Sequence, residues 1–215
     1  MGHAVVRSRA LAGVDSPAVE VEVDLAGGLP ALAIVGLPEA AVREAKDRVR
    51  AALVNSGFDF PTARVTVNLA PADLPKEGGR FDLPIALGIL AASGQLPAEA
   101  LAGREFLGEL TLDGRLRPVH GALAAALALA GSGEALLVPE ANAAEAAVAG
   151  TVPVHGAASL TAVTAFLRGE SDLAPAAPGA PPDHHPPDLA DVRGQAPAKR
   201  ALEVAAAGGH GLLIS

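Results

Sequence analysis

The amino-acid sequence predicts a two-layer α/β domain, in which helices pack against a β-sheet. Residues 18–25 give the clearest strand, because Val and Leu alternate there with Ala and acidic residues and so form one apolar and one charged face. Residues 82–92 are largely apolar and predict a helix with Asp82 as its N-cap. From residue 135 to residue 168, apolar runs of strand length alternate with helical stretches. These patterns together predict the fold class.

The other elements of the first half follow from glycines, prolines and apolar runs. Three strands followed by a helix are expected before residue 60. The predicted elements are a turn at Gly27 and Gly28, a strand at 31–35, a helix from Pro38 to Val54, a strand at 64–69 and a loop at 71–80.

A β-hairpin is predicted after residue 106, because Asp113 and Gly114 stand between two short strands and this dipeptide favours a tight turn. The remaining elements alternate between helix and strand. They are a helix at 122–130, a strand at 135–138, a helix at 140–149, a strand at 152–155 and a helix at 159–168.

Composition changes at Glu170, where Ser, Asp, Ala, Pro and Gly become dominant. Such a stretch buries too little apolar area to offset its ordering entropy, so residues 170–187 are interpreted as a linker. His184 and His185 lie in it, but a Pro-rich tether supplies no further metal ligands, and no metal site is expected. A new unit begins at Asp188, with a helix predicted at 197–207 and an apolar strand at 212–214.

The composition excludes several classes of function. The 215 residues include no Cys, so disulfides and cysteine chemistry are ruled out. A formal net charge of −8 disfavours a generally basic surface that coats nucleic acid, and five Phe without Tyr or Trp make a poor stacking platform for bases. The cations of the predicted first helix alternate with acidic residues, which is typical of a solvated face with ion pairs.

No export signal or membrane span is expected. The first eleven residues lack a basic segment followed by an apolar run, and the longest helical apolar stretch, residues 122–130, is too short to cross a bilayer. A cytoplasmic protein is therefore predicted.

Four stretches of the sequence resemble a known family, the Mg-chelatase-like AAA+ ATPases of the ComM/YifB group. They span nearly the whole chain. The stretches are VGLPE at 35–39, NLAPADLPKEGGRFDLP at 68–84, FLGELTLDGRLRP at 106–118, and residues 188–215.

This resemblance implies a ribosomal-protein-S5-domain-2-like fold, shared with the Lon peptidase domain, for residues 1–169. It implies that residues 188–215 open an AAA+ module, with Val192, Gly194 and Gln195 near the adenine of ATP. Arg193 departs from the apolar or small residue of the family pattern. The phosphate-binding loop G-x-x-x-x-G-K-[ST] is then expected immediately after Ser215. Full-length members would use ATP and Mg²⁺, whereas these 215 residues should not hydrolyse ATP.

The resemblance also implies partners: a hexameric ring of the full-length protein, and DNA on which it acts by ATP-driven branch migration during natural transformation. No membrane partner is implied. Three alternatives remain open: a free-standing S5-like binding module, a magnesium chelatase subunit, and a Lon-like peptidase. The peptidase is disfavoured because Arg80 and Leu123 stand where Lon-type enzymes place a nucleophilic Ser and a Lys base. No catalytic residue is assigned.

One loop is a candidate interaction site. Lys76, Gly78, Gly79 and Arg80 combine two cations with two glycines, a composition that suits an anion or a neighbouring subunit. The alternative is a tight loop that feeds the next helix. The hypothesis is that this loop, with Arg115 and Arg117 of the hairpin, helps the domain to engage substrate in a ring.

Overall fold

The structure is a computed structural model that describes residues 2–39, 42, 44–179 and 187–213. The chain divides into two compact units, residues 1–179 and residues 180–215. His184, His185 and Ile214, on which predictions were made above, lie outside the described residues.

The first unit contains nine described strands and five described α-helices. In chain order they are β1 (Gly2–Arg9), β2 (Ala18–Ala26), β3 (Ala31–Val35), α1 (Ala45–Asn55), β4 (Arg64–Ala70), α2 (Asp82–Ala92), a 3-10 helix (Ala98–Leu101), β5 (Arg104–Phe106), β6 (Glu109–Leu110), β7 (Leu116–Arg117), α3 (Ala122–Ala128), β8 (Ala135–Pro139), α4 (Glu140–Ala147), β9 (Val154–Ala157) and α5 (Leu160–Leu167).

Seven of these strands form one mixed sheet in the order β3-β4-β2-β1-β5-β8-β9. The β1–β2 and β2–β4 pairs are antiparallel, and the other four pairs are parallel. Strands β6 and β7 form the predicted hairpin, with Gly114 at a positive φ of 81°. The prediction of a mixed α/β fold is confirmed.

The core is built around α2, whose eleven residues are all buried. The alternation of β2 places Val19, Val21 and Val23 on the buried face and leaves its acidic residues on the other face. Two backbone hydrogen bonds to Gly108, in the β5–β6 connection, fix the start of α2. Leu83 N–H donates to Gly108 O, and Gly108 N–H donates to Arg80 O, both at 3.0 Å. These bonds satisfy one of the backbone donors that a helix N-terminus leaves unpaired.

The first helix begins later than predicted. Pro38, expected as its first residue, instead forms a bridge with Lys76, and Glu39 N–H donates to Lys76 O at 3.2 Å. Leu37, the residue before Pro38, has a positive φ of 56°, a conformation that is uncommon for residues other than Gly. Pairing with the 71–80 loop therefore takes precedence here over the tendency of Pro to open a helix.

Asp82 is not the N-cap of α2. That position belongs to Phe81, and no side chain caps it. The Asp82 carboxylate instead accepts hydrogen bonds from Arg48 Nε at 2.8 Å and Nη2 at 3.1 Å, and from Leu110 N–H at 3.2 Å. The carboxylate therefore connects α1, α2 and the hairpin. These hydrogen bonds also offset the cost of burying its charge, since a buried carboxylate needs partners.

The first part of the predicted linker lies against the domain. His155 Nδ1 is 2.5 Å from Leu173 O, Ala176 N–H donates to Val154 O at 2.7 Å, and Pro175 bridges His155. Residues 173–176 thus contact the outer strand β9, and the first unit extends to residue 179.

The second unit contains a 3-10 turn (Leu189–Asp191) and helix α6 (Ala196–Gly208). The helix predicted at 197–207 is confirmed. Leu212 and Leu213 are not in a strand. None of the described helices is long and apolar enough to cross a membrane.

The first prediction concerns Gly88, where α2 passes closest to the sheet. A Cβ added there would lie 2.6 Å from Val23 Cγ2 and 3.3 Å from Val6 Cγ2. Ala in a helix is favoured over Gly by about 1 kcal/mol, but overpacking a buried contact costs about 1–3 kcal/mol. We expect Gly88→Ala to lower the free energy of unfolding by about 1 kcal/mol in urea titrations. In a Val23→Ala background, which lacks the contacted methyl group, the additional loss caused by Gly88→Ala should be much smaller, and strictly additive effects would contradict the proposed clash.

The second prediction concerns pH. Burial raises the pKa of Asp82 to about 6 despite the opposing hydrogen bonds from Arg48 and Leu110. Because the folded state then binds this proton more tightly than the unfolded chain, the Asp82 contribution to stability grows as pH falls from about 7 to about 4.

Urea titrations of the wild type and Asp82→Asn across this range isolate that contribution. We expect the free energy of unfolding of the wild type, relative to the variant, to rise by about 2 kcal/mol on acidification. A difference that stays constant with pH would show that Asp82 titrates near its ordinary value.

Candidate interaction site

Three loops of the first unit surround a cleft of about 270 Å³. The first loop follows β1, the second is the predicted interaction loop ahead of α2, and the third connects β7 to α3. The lining residues are Leu11, Glu77, Gly78, Gly79, Arg80, Glu109, Pro118, Val119 and His120. The sequence predicted Gly78, Gly79 and Arg80 as site residues, and the structure places all three at this cleft.

Arg80 holds the three loops together. Its side chain is buried, Nη1 donates to Arg9 O at 3.3 Å, and Nη2 donates to His120 O. Burial lowers the pKa of the guanidinium, and the charge of Glu77 opposes part of that shift. Main-chain carbonyls satisfy a buried cation without neutralising it. Arg80 therefore fixes the walls of the cleft, and its guanidinium retains a positive charge beside it.

Lys76 does not line the cleft. Its side chain is fully buried, and Nζ donates to Pro71 O at the start of the same loop. Burial lowers the pKa of this ammonium, and the nearby charge of Asp73 opposes the shift. Lys76 therefore closes the 71–80 loop on itself. For this residue the structure matches the alternative of a tight loop that feeds the next helix.

The two glycines have distinct reasons to be glycine. Gly78 is exposed and has a positive φ of 70°, a conformation that residues with a Cβ rarely adopt. At Gly79 the reason is space, because an added Cβ would lie 2.5 Å from the side chain of Glu109. Gly78 thus supplies the turn of the loop, and Gly79 lets the loop pass close to the Glu109 side chain of the hairpin.

The hairpin that contributes Glu109 to the cleft also carries two exposed arginines, which lie outside the cleft lining. Arg117 Nη1 lies 3.6 Å from Glu109 Oε1, and Arg115 Nε lies 2.9 Å from Asp113 Oδ2. Both guanidinium groups are mostly exposed, and exposed ion pairs are weak, so both can exchange their carboxylate for another anion.

Leu11, Glu77, Glu109 and His120 were not predicted as cleft residues. Leu11 and His120 belong to segments 40 or more residues away from Glu77 in the chain. No periodicity connects them. The contacts of Arg80, and the Leu11 side chain lying against Gly121, bring these segments together.

The residues predicted near adenine lie in the second unit. Gly194 and Gln195 have positive φ values of 70° and 54°, and Gln195 O accepts a hydrogen bond from Lys199 N–H at 2.9 Å. Val192, Gly194 and Gln195 are exposed, and neither helical segment of this unit has a buried residue. The described residues of this unit do not by themselves enclose a nucleotide.

The positions aligned with a Ser–Lys pair are also placed. Arg80 is engaged with carbonyl groups, and Leu123 lies in the first turn of α3. Neither side chain can act as a nucleophile or a base. Among the described residues, no group of three or more His, Asp or Glu side chains is arranged to hold a metal ion.

Two family models match this chain, and both describe subunit ChlI of Mg-chelatase. The family model described as "Subunit ChlI of Mg-chelatase" matches residues 21–142, and the model described as "Magnesium chelatase, subunit ChlI" matches residues 188–215.

Individual relatives match the whole chain. "Competence protein ComM" of Haemophilus influenzae is 50% identical, over 100% of this chain and 43% of that protein. "Uncharacterized protein YifB" of Salmonella typhimurium and of Escherichia coli are each 48% identical, over 100% of this chain and 42% of those proteins. The chain thus spans less than half the length of these relatives. Since the first family model covers more than half of its residues, the chain belongs to the ChlI family of Mg-chelatase-like proteins.

Proposed function

We propose that the chain forms the N-terminal, non-catalytic part of a ring-forming, ATP-driven motor that moves branched DNA during competence-related DNA processing in the cytoplasm. The observation that carries the proposal is the identity of 50% to the competence protein ComM along the entire chain. The match of residues 188–215 to a second model of the same family supports a motor module that begins there.

In this proposal residues 1–169 form an S5-domain-2-like domain related to the Lon peptidase domain, residues 170–187 link it to the motor, and residues 188–215 open an AAA+ module. ATP and Mg²⁺ belong to the longer protein. Val192, Gly194 and Gln195 would lie beside the adenine there. Because the described residues of the second unit enclose no nucleotide, we assign no step of ATP hydrolysis to them.

The cleft is the proposed contact site of the domain. Arg80 acts as a positioning residue, since its bonds to Arg9 O and His120 O hold the walls in place. Gly78, Gly79 and the exposed arginines of the hairpin would supply the contact itself, and Lys76 would maintain the loop. Short exposed backbone beside cations suits a phosphate group of DNA or an acidic surface of a neighbouring subunit.

The experiment uses the full-length protein, with a synthetic four-way DNA junction as substrate. We expect ATP-dependent movement of the junction by the wild type. Removal of residues 1–179 should leave ATP hydrolysis in place but abolish movement, because the motor would lose its contact domain. If the wild type hydrolysed ATP without moving the junction, the proposal would be wrong. Insertion of Mg²⁺ into a porphyrin would instead favour the hypothesis of a chelatase subunit, which the family description suggests.

A third prediction tests the contact site. Arg115→Glu with Arg117→Glu should weaken junction binding and reduce the slope of log affinity against log salt by about 2, because two phosphate contacts would be lost. The control is Arg50→Glu with Arg64→Glu, which changes the charge equally at two exposed positions outside the hairpin. Equal effects of the two pairs would indicate that only net charge matters and that the hairpin makes no specific contact.

A further inference from the structure

The outer strand β3 provides a surface that the proposed function does not use. Among the described residues of the first unit, β3 pairs with β4 and with no second strand. Its other side therefore presents backbone N–H and C=O groups. Proteins usually protect such an edge with charged side chains, bulges or a covering segment.

Here the edge carries no such charge. Residues 25–38 contain no charged or polar side chain, in a chain whose net charge is −8. Leu29, Val35 and Leu37 are 88%, 46% and 56% exposed. This is a place where two copies of an acidic protein can approach without bringing carboxylates together.

The free backbone groups belong to alternate residues. Ala31 N–H donates to Ala63 O at 3.4 Å, so the backbone groups of Ala31 face β4. Because the backbone N–H and C=O groups of successive strand residues point to opposite sides, the groups of Leu32 and Ile34 face away from the sheet.

The sequence around β3 is also self-complementary. If a twofold axis passes through Ala33, Ala31 lies opposite Val35, and Ala33 opposite its own copy. On the other face of the strand, Leu32 lies opposite Ile34. These last two residues have the outward backbone groups, so each can donate and accept a hydrogen bond with its counterpart. Ala33 then forms a non-hydrogen-bonded pair, where strands approach most closely and a small side chain fits.

We propose that two copies of this chain associate by antiparallel pairing of their β3 strands about a twofold axis at Ala33. The two sheets become one continuous sheet across the interface. The contact is isologous and closed, so it joins two copies and does not propagate. It is independent of the proposed DNA function.

A cysteine pair tests the register, and the absence of native cysteine makes every disulfide attributable to the introduced residue. In Ala33→Cys the two Cα atoms would lie about 4.5 Å apart, within reach of a disulfide. In the matched control Ala31→Cys, on the same face of the same strand, each cysteine would lie roughly 14 Å from its copy. Under mild oxidation of the 215-residue chain, we expect covalent dimer from Ala33→Cys at least tenfold faster than from Ala31→Cys.

The association itself is measured by sedimentation equilibrium. The wild type should approach twice its chain mass of 21.3 kDa as concentration rises. Ala33→Lys should shift the dimer dissociation constant upward at least tenfold, because two ammonium groups would face each other across the axis. The control Val5→Lys adds the same charge to an exposed apolar position of β1 and should leave dimerisation unchanged.

Three outcomes overturn the proposal. They are a wild type that stays monomeric throughout, equal rates of cross-linking for the two cysteine variants, and a dimer that Ala33→Lys does not weaken. Circular dichroism of each variant establishes that it is folded, and Ala33→Cys keeps the register test valid if Ala33→Lys does not fold.

Discussion

The burial of α2 is the constraint on which the first unit depends. A helix that is buried at each of its eleven positions needs cover all round, and no single element can provide it. Strands β1 and β2 cover one side, close enough that Gly88 has no space for a side chain. Helix α1 contacts α2, and Arg48 on α1 pairs with Asp82 at its first turn. The hairpin is held to the same end through Leu110 N–H. The position of the cleft follows from this arrangement, because its central loop is the segment that leads into α2.

Buried cations give this region its shape. Lys76 and Arg80 are both almost fully buried, and both donate to main-chain carbonyl groups. Such bonds leave the charge in place while Lys76 closes its own loop and Arg80 ties that loop to two others. Two exposed cations, Arg115 and Arg117, lie on the hairpin that contributes Glu109 to the cleft. The cations of this region thus separate into a buried set that is bound to carbonyl groups and an exposed set on the hairpin.

The sequence predicted most elements because their signals are local. Alternation identified β2, apolar composition identified α2, and Asp113 with Gly114 identified the hairpin turn. The start of α1 and the role of Asp82 were predicted wrongly for one common reason. The usual effects of Pro38 and Asp82 on helix starts were overridden by partners distant in the chain, Lys76 and Arg48. The cleft could be predicted only in part, since its glycines and Arg80 form a recognisable cluster but the carbonyl groups that receive Arg80 carry no signature in the sequence.

The central position of β1 in the sheet affects how the chain can fold as it is made. Strand β1 pairs with β2 on one side and with β5, some hundred residues later, on the other. The two strands that α2 packs against, together with α2 itself, are complete by residue 92. Domains generally fold in order of synthesis, and contacts close in sequence form fastest. A core of β1, β2, β3, β4 and α2 can therefore assemble at the ribosome while β5, β8 and β9 are still untranslated, and the parallel half of the sheet then adds to a template that already exists.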